Sequence, residues 1–370
     1  MIKSYKNSII ISICTLILVS VGVVMVYSAS KYSAGLNYGN KYFYMTKQLI
    51  GAILGLGAMI GTSLINHKIY KKFYLVAYFI GVVLLAMLFI PGLAKSSYGA
   101  TRWINLGFFT IQPSEIAKFC LVLFLSVALT KGKDINKPSK LLTVLMAGVV
   151  YCVLIMLEPN MSITICVGLT LVVMLFIGGL NLKTFALGAI PIILLGVGLV
   201  MLEPYRMKRI IAFIDPWQNP LEEGYQLIQS LYAISSGGLF GVGLGNSRQA
   251  QLFLPFAESD FIFSIICEEL GLIGGVAILL IYLTLIITII KVGIKAKDNY
   301  SKFLCIGIAC VLGIQTVLNV CVVSGLIPPT GLPLPFISAG STSIVVFMSA
   351  MGVVLNVDRQ SRKELKMFEK

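Results

Sequence analysis

Charge is scarce in this 370-residue chain, and histidine scarcer. Asp, Glu, Lys and Arg make up 12% of it, with one His, whereas A, V, I, L, M, F, W, Y and C make up 58%. A water-soluble protein of this length needs far more polar surface to stay dispersed, so a soluble globular enzyme is excluded. With His67 as its single histidine, the chain has little from which to build a zinc site. The eight cysteines, at 14, 120, 152, 166, 267, 305, 310 and 321, fall in apolar stretches without metal-ligand spacing, which points to packed, reduced thiols. No Gly-x-x-x-x-Gly-Lys-Ser/Thr stretch occurs, so the chain carries no P-loop, and any work it does draws on a substrate's bonds, an ion gradient or a partner.

What is present is hydrophobic length. Nearly uncharged runs of roughly 17 to 25 residues, enough for a helix to cross a bilayer, recur from end to end. They predict an all-α polytopic membrane protein with about ten transmembrane helices, at 8–28, 47–66, 73–91, 114–130, 141–157, 161–180, 184–202, 261–290, 303–326 and 340–357. A large, structured extracellular loop lies between the seventh and eighth, and residues 1–370 form a single transmembrane domain. The first run lacks a small-residue cleavage site with a polar flank and is expected to stay as an uncleaved helix. Ten spans put both termini on one side. Most of the 29 Lys and Arg residues gather on that side, from Lys3 and Lys6 to Lys366 and Lys370, which makes it cytoplasmic. The net charge of +14 is mainly a topology signal and an attraction to anionic membrane lipids, with no reason to invoke nucleic acid.

Three outer connections hold the unusual sequence: 92–113, 203–260 and a proline-rich 327–340. In the longest, Tyr225, Leu227, Ile228, Leu231, Tyr232 and Ile234 supply an apolar face to a helix expected at the membrane interface. The run Gly237-Gly238-Leu239-Phe240-Gly241-Val242-Gly243-Leu244-Gly245 follows. Its backbone suits either a sharp re-entrant turn or amides presented to an anion.

Ionisable residues at or inside spans are functional candidates. Glu115 and Lys118 lie on one helix face, three residues apart, as a structural pair or as substrate contacts. Glu158, with Pro159 and Asn160, either makes a simple turn or serves a site. Glu268 and Glu269 suit capping and helix-to-helix hydrogen bonds, or alternatively a proton relay or cation site. Asp260 ends the long outer loop, where a carboxylate can serve as a helix N-cap or as a general base beside a low-dielectric wall. Arg102, Arg206, Arg209 and Arg248 lie on the outer face against the positive-inside trend, and arginine's planar fork suits phosphate or pyrophosphate.

Taken together these segments resemble the SEDS family of shape, elongation, division and sporulation proteins, which includes FtsW, RodA and SpoVE. The resemblance rests on Ala100-Thr101-Arg102-Trp103-Ile104, Gln112-Pro113-Ser114-Glu115-Ile116-Ala117-Lys118, Arg206 to Trp217, Gly224 to Gly245, Phe253 to Phe263 and Pro329 to Phe336, in that order over nearly the whole chain. The Met156-Leu157-Glu158-Pro159-Asn160 stretch looks closer to the FtsW and SpoVE branch. Such a resemblance implies a peptidoglycan glycosyltransferase of the bacterial cytoplasmic membrane, polymerising lipid II on its outer face for division, elongation or sporulation, beside a class B penicillin-binding protein. It implies Asp260 as the essential carboxylate and Trp103 as an important neighbour. The four arginines become candidates for holding pyrophosphate, with a divalent cation (Mg²⁺ or Mn²⁺) able to share that role. Departures from the usual pattern are Phe256 and Glu258 in the segment before Asp260, and Asn160 where Asp is frequent. Two other readings stand beside the enzyme: a lipid II flippase, suggested by the spans and their buried charges, and a non-catalytic scaffold for the transpeptidase. The concentration of unusual residues on one outer face, with no evident inverted repeat, favours the enzyme.

Overall fold

The computed structural model describes residues 2–90, 94–97, 100–105, 110–131, 134–188, 198, 204–222 and 224–368. Its helices are α1 (Ile2–Tyr38), α2 (Phe43–Leu64), α3 (Lys68–Lys72), α4 (Tyr74–Ala86), α5 (Pro113–Thr130), α6 (Pro138–Leu157), α7 (Met161–Ile177), α8 (Pro204–Ile214), α9 (Tyr225–Gly237), α10 (Ile262–Lys295), α11 (Asn299–Val323) and α12 (Ser341–Phe368). Seven of these, α1, α2, α5, α6, α10, α11 and α12, are long and apolar enough to cross a membrane; Tyr74–Phe89 and α7 are shorter apolar helices. The chain is thus a multi-pass, all-α membrane protein. The seventh expected span, 184–202, falls largely outside the described residues. Three expected boundaries are corrected: α1 runs on well past residue 28, α10 past residue 290 and α12 past residue 357.

Both the centre and the perimeter are apolar, as a bundle in lipid requires. Leu18, Leu85, Leu121, Leu125, Tyr151 and Leu285 are buried, while Ile53, Phe79, Leu142 and Leu283 face outward. Small residues let helices approach: a Cβ on Gly51 would stand 2.9 Å from Ser341 Cα, and one on Gly352 would stand 2.2 Å from the Met59 carbonyl, so α2 and α12 pack almost backbone to backbone. At the end of the bundle where α11 begins, His67 is buried. Its Nδ1 lies 3.0 Å from Asn356 Oδ1 and its Nε2 2.7 Å from Ser301 Oγ, which pins the turn after α2 to α11 and α12. All eight cysteines are free thiols.

The segment expected as a plain loop at 92–113 contains an antiparallel sheet, β1 (Ala94–Ser97), β2 (Ala100–Asn105) and β3 (Thr110–Ile111). Lys95 pairs with Trp103 and Ile104 with Ile111. Alternation along β2 sends Arg102 and Trp103 to opposite faces. The expected helix at Tyr225 forms, but as a packed element: Leu227 and Ile228 are buried, and Ser230 Oγ donates to the Val323 carbonyl at 2.7 Å.

The glycine run has a structural task. At Gly271, φ is +70°, and the helical ladder of α10 is interrupted. The Glu268 and Glu269 carbonyls accept from Val242 (2.9 Å) and Gly243 (3.0 Å), while the Leu272 and Ile273 amides donate to the Gly238 and Leu239 carbonyls. Four groups freed by the break are therefore re-paired by the run, as buried backbone in a membrane bundle demands. Amides of Val242 and Gly243 are consumed in this way and are not available to cradle an anion.

Candidate functional site

The proline-rich segment before α12 pairs its Thr330 and Leu334 carbonyls with its own amides but cannot satisfy the rest, because Pro328, Pro329, Pro333 and Pro335 lack an amide hydrogen. Side-chain amides from the bundle do so instead. Gln48 Nε2 donates to the Ile337 and Ser338 carbonyls, each at 3.1 Å, Gln315 Nε2 to the Pro333 carbonyl at 2.8 Å, and Asn319 Nδ2 to the Leu332 carbonyl at 2.7 Å. Leu332, Leu334, Phe336 and Ile337 are buried, leaving Gly331 as the small residue turned toward the long outer loop.

That turn meets Asp260. Asn319 Nδ2 also donates to the Asp260 carbonyl at 2.8 Å, the Ala339 amide to the Glu258 carbonyl at 2.8 Å, and Ser338 Oγ to the Ser259 carbonyl at 2.6 Å. The carboxylate of Asp260 accepts from Ser259 Oγ at 3.1 Å. It is not an N-cap: the capping position of α10 is Phe261, and no side chain caps there. The helix-cap alternative is thereby removed. Asp260 is half-buried, and the packing around it pushes its carboxyl above the ordinary range, while Ser259, Arg102 and Arg209 pull it back. Burial likewise raises Glu258, and the charge of Asp260 adds to that rise.

Two of the four candidate arginines reach this point. A methyl group on Gly331 would stand 3.0 Å from Asp260 Oδ2 and 3.8 Å from Arg102 Nη1, so carboxylate and guanidinium flank one glycine. Arg102 Nη2 also donates to the Pro159 carbonyl. Arg209 Nη1 donates to the Pro329 carbonyl at 3.0 Å. Arg206 lies on α8, but its side chain is outside the described residues. Arg248 is exposed; its backbone amide donates to Glu268 Oε1 at 2.9 Å, and among the described residues no contact joins its side chain to Asp260. Trp103 is half-buried on β2, beside Arg102 in sequence but on the other face.

The remaining carboxylates are engaged nearby. Glu115 and Lys118 form a buried pair at 2.9 Å. Lys118 Nζ also donates to Gln315 Oε1, and Ser343 Oγ donates to Glu115 Oε2 at 3.0 Å, tying α5 to α11 and α12 directly beneath the proline-rich segment. Glu269 Oε1 accepts from Ser28 Oγ at 2.6 Å, and Glu268 accepts from the Ser247 hydroxyl and the Arg248 amide. These two fasten the turn after the glycine run to the upper part of α10. A group that the sequence left undecided, Glu158, is fully buried at the end of α6 next to the Arg102–Pro159 bond. Among the described residues no three His, Cys, Asp or Glu gather around a cation position. With guanidiniums beside Asp260, the residues present do not fit a divalent cation held by protein alone.

The arrangement sets a carboxylate with a raised proton affinity beside two guanidiniums, on segments from three parts of the chain. Residues 8–363 match the family model FTSW_RODA_SPOVE, described as cell cycle protein. The chain belongs to the FtsW/RodA/SpoVE family. Among its FtsW/RodA/SpoVE relatives, stage V sporulation protein E of Bacillus subtilis (strain 168) is 40% identical over 365 residues, covering 97% of this chain and 99% of that protein. A probable peptidoglycan glycosyltransferase FtsW of Geobacter sp. (strain M18) is 37% identical, covering 95% and 97%. Among solved structures, a chain of a peptidoglycan synthase complex that coordinates polymerization and crosslinking superposes with a TM-score of 0.80 at 27% identity, covering 95% of this chain and 97% of that one. Thermus thermophilus RodA shares the fold, with a TM-score of 0.70 at 24% identity.

Proposed function

We propose that this FtsW/RodA/SpoVE-family chain is a peptidoglycan glycosyltransferase that polymerises lipid II on the outer face of the bacterial cytoplasmic membrane, with both termini cytoplasmic and a class B penicillin-binding protein as partner. The observation that carries this reading is the carboxylate of Asp260 and the guanidinium of Arg102 flanking Gly331. In an inverting transfer the acceptor hydroxyl oxygen attacks the anomeric carbon, its proton passes to Asp260, and the bond to pyrophosphate breaks with its electrons leaving on the phosphate. Arg102 and Arg209 supply the positive charge that this developing anion needs. Trp103, Arg206 and Arg248 stand as further substrate contacts along the outer face. The Glu115–Lys118 pair and Glu268 with Glu269 act as supports, holding the helices that carry the Asp260 region.

The test is polymerisation of labelled lipid II by the purified chain, with and without a class B penicillin-binding protein, with products sized on a gel. Asp260→Asn should fold and lose at least about a hundredfold in rate, the lower end of what a general base supplies. Polymer made by that variant at the normal rate would move the base elsewhere; lipid II crossing vesicles without polymer under any condition would favour the flippase.

A further inference from the structure

Glu158 is the buried ionisable group near the site that the reaction above leaves unused. It is 0% exposed, it lies outside the spans at the end of α6, and neither of its carboxylate oxygens has a hydrogen-bond partner among the described residues. A carboxyl so placed is held by charge or not at all. The charged group whose field reaches it is Arg102, on β2. The same guanidinium donates through Nη2 to the carbonyl of Pro159, the next residue, and presents Nη1 toward Gly331 and Asp260. Arg102 therefore stretches between two carboxyl groups from different segments, one fully buried and one half-buried.

We propose that Glu158 is a positioning residue that sets how Arg102 presents its charge to an anionic pyrophosphate. Neutral, Glu158 leaves the guanidinium's charge for the ligand; ionised, it competes for that charge from the buried side and draws the fork toward Pro159. Burial pushes the Glu158 carboxyl up to about 8, against the pull of Arg102. The neutral form thus predominates at pH 7, and competition grows as pH rises through 8. This inference rests on the glycosyltransferase reading only in naming pyrophosphate; the coupling between Glu158 and Arg102 stands apart from it.

The experiment uses the full-length chain in detergent with Trp217→Phe, so that Trp103, adjacent to Arg102, is the single tryptophan and can be excited apart from the tyrosines. Its emission is titrated from about pH 6 to about pH 10. A transition centred near 8 is expected, absent in Glu158→Gln. With lipid II as substrate, KM should rise about tenfold over the same range, the worth of one charge-assisted hydrogen bond, and stay flat in Glu158→Gln, whose activity at pH 7 remains close to that of the parent. A transition or KM rise that persists in Glu158→Gln overturns the proposal, as does its absence from the parent. A fluorescence transition that Glu158→Gln abolishes, in a chain that makes no polymer at any pH, supports the coupling and removes the glycosyltransferase reading.

Discussion

At the scale of single residues, the proposed reaction asks for a carboxylate made a better proton acceptor by its surroundings. Packing raises Asp260, and a base works only when ionised, so activity should fall on acidification at pH values above the ordinary carboxylate range. The pH profile of lipid II polymerisation, recorded with Glu158→Gln to remove any alkaline effect, checks this; an acid limb at the ordinary value would mean that the packing around Asp260 opens when substrate binds. Asp260, Arg102 and Arg209 are legible in sequence, because charges in outer loops of an otherwise apolar chain stand out. Gly331 is not. Its meaning lies in what a side chain there would strike, and that needs Asp260 and Arg102 in three dimensions. Glu158 is legible as an anomaly but not as a neighbour of Arg102, since their proximity is a product of the bundle.

Among elements, hydrophobic length announces the long helices, and the apolar face of Tyr225–Gly237 announces α9. The small sheet escapes, because strands of four, six and two residues inside a loop leave too short a pattern to see. The interruption of α10 also escapes: Gly271 is one of several glycines in a long, mostly apolar helix, and its compensating amides come from residues 242 and 243. The element that faces Asp260 most closely is the proline-rich segment, restrained mainly by side-chain amides rather than by a backbone ladder. Asn319 is the sharpest case, since one Nδ2 serves both the Leu332 and the Asp260 carbonyls. Asn319→Leu keeps the volume and removes both donations. Two buried carbonyls are then left unpaired, at a cost of roughly 1–3 kcal/mol for each group. A lowered Tm in detergent, with faster proteolysis between residues 254 and 261, is the expected result; an unchanged Tm would show that other donors replace it.

For the whole molecule, loops far apart in sequence converge at one end of the bundle, and a buried ion pair holds the helices beneath them. Lys118 is 1% exposed and joins Glu115, which also receives Ser343, to Gln315, which holds Pro333. Removing one partner strands a charge in a low-dielectric interior, so Lys118→Met should cost about 3–5 kcal/mol. Glu115→Gln in the same chain should return part of that loss. Thermal denaturation of the single and double variants measures the coupling, and equal losses in both would argue that Lys118 acts through Gln315 alone. The sequence spacing of Glu115 and Lys118 shows that they can meet. It does not show that the pair continues through Gln315 to the segment facing Asp260, because that path passes from α5 to α11, far away in sequence.

The amides of Gln48, Gln315 and Asn319 bear on the portability of the site. The groups proposed to react occupy short stretches that could be copied into another scaffold as peptides, yet the proline-rich stretch would bring along only the short turns closed on its Thr330 and Leu334 carbonyls. Its form is an imprint of α2 and α11, taken at three points, and a graft lacking those three amides would carry the right residues in the wrong places.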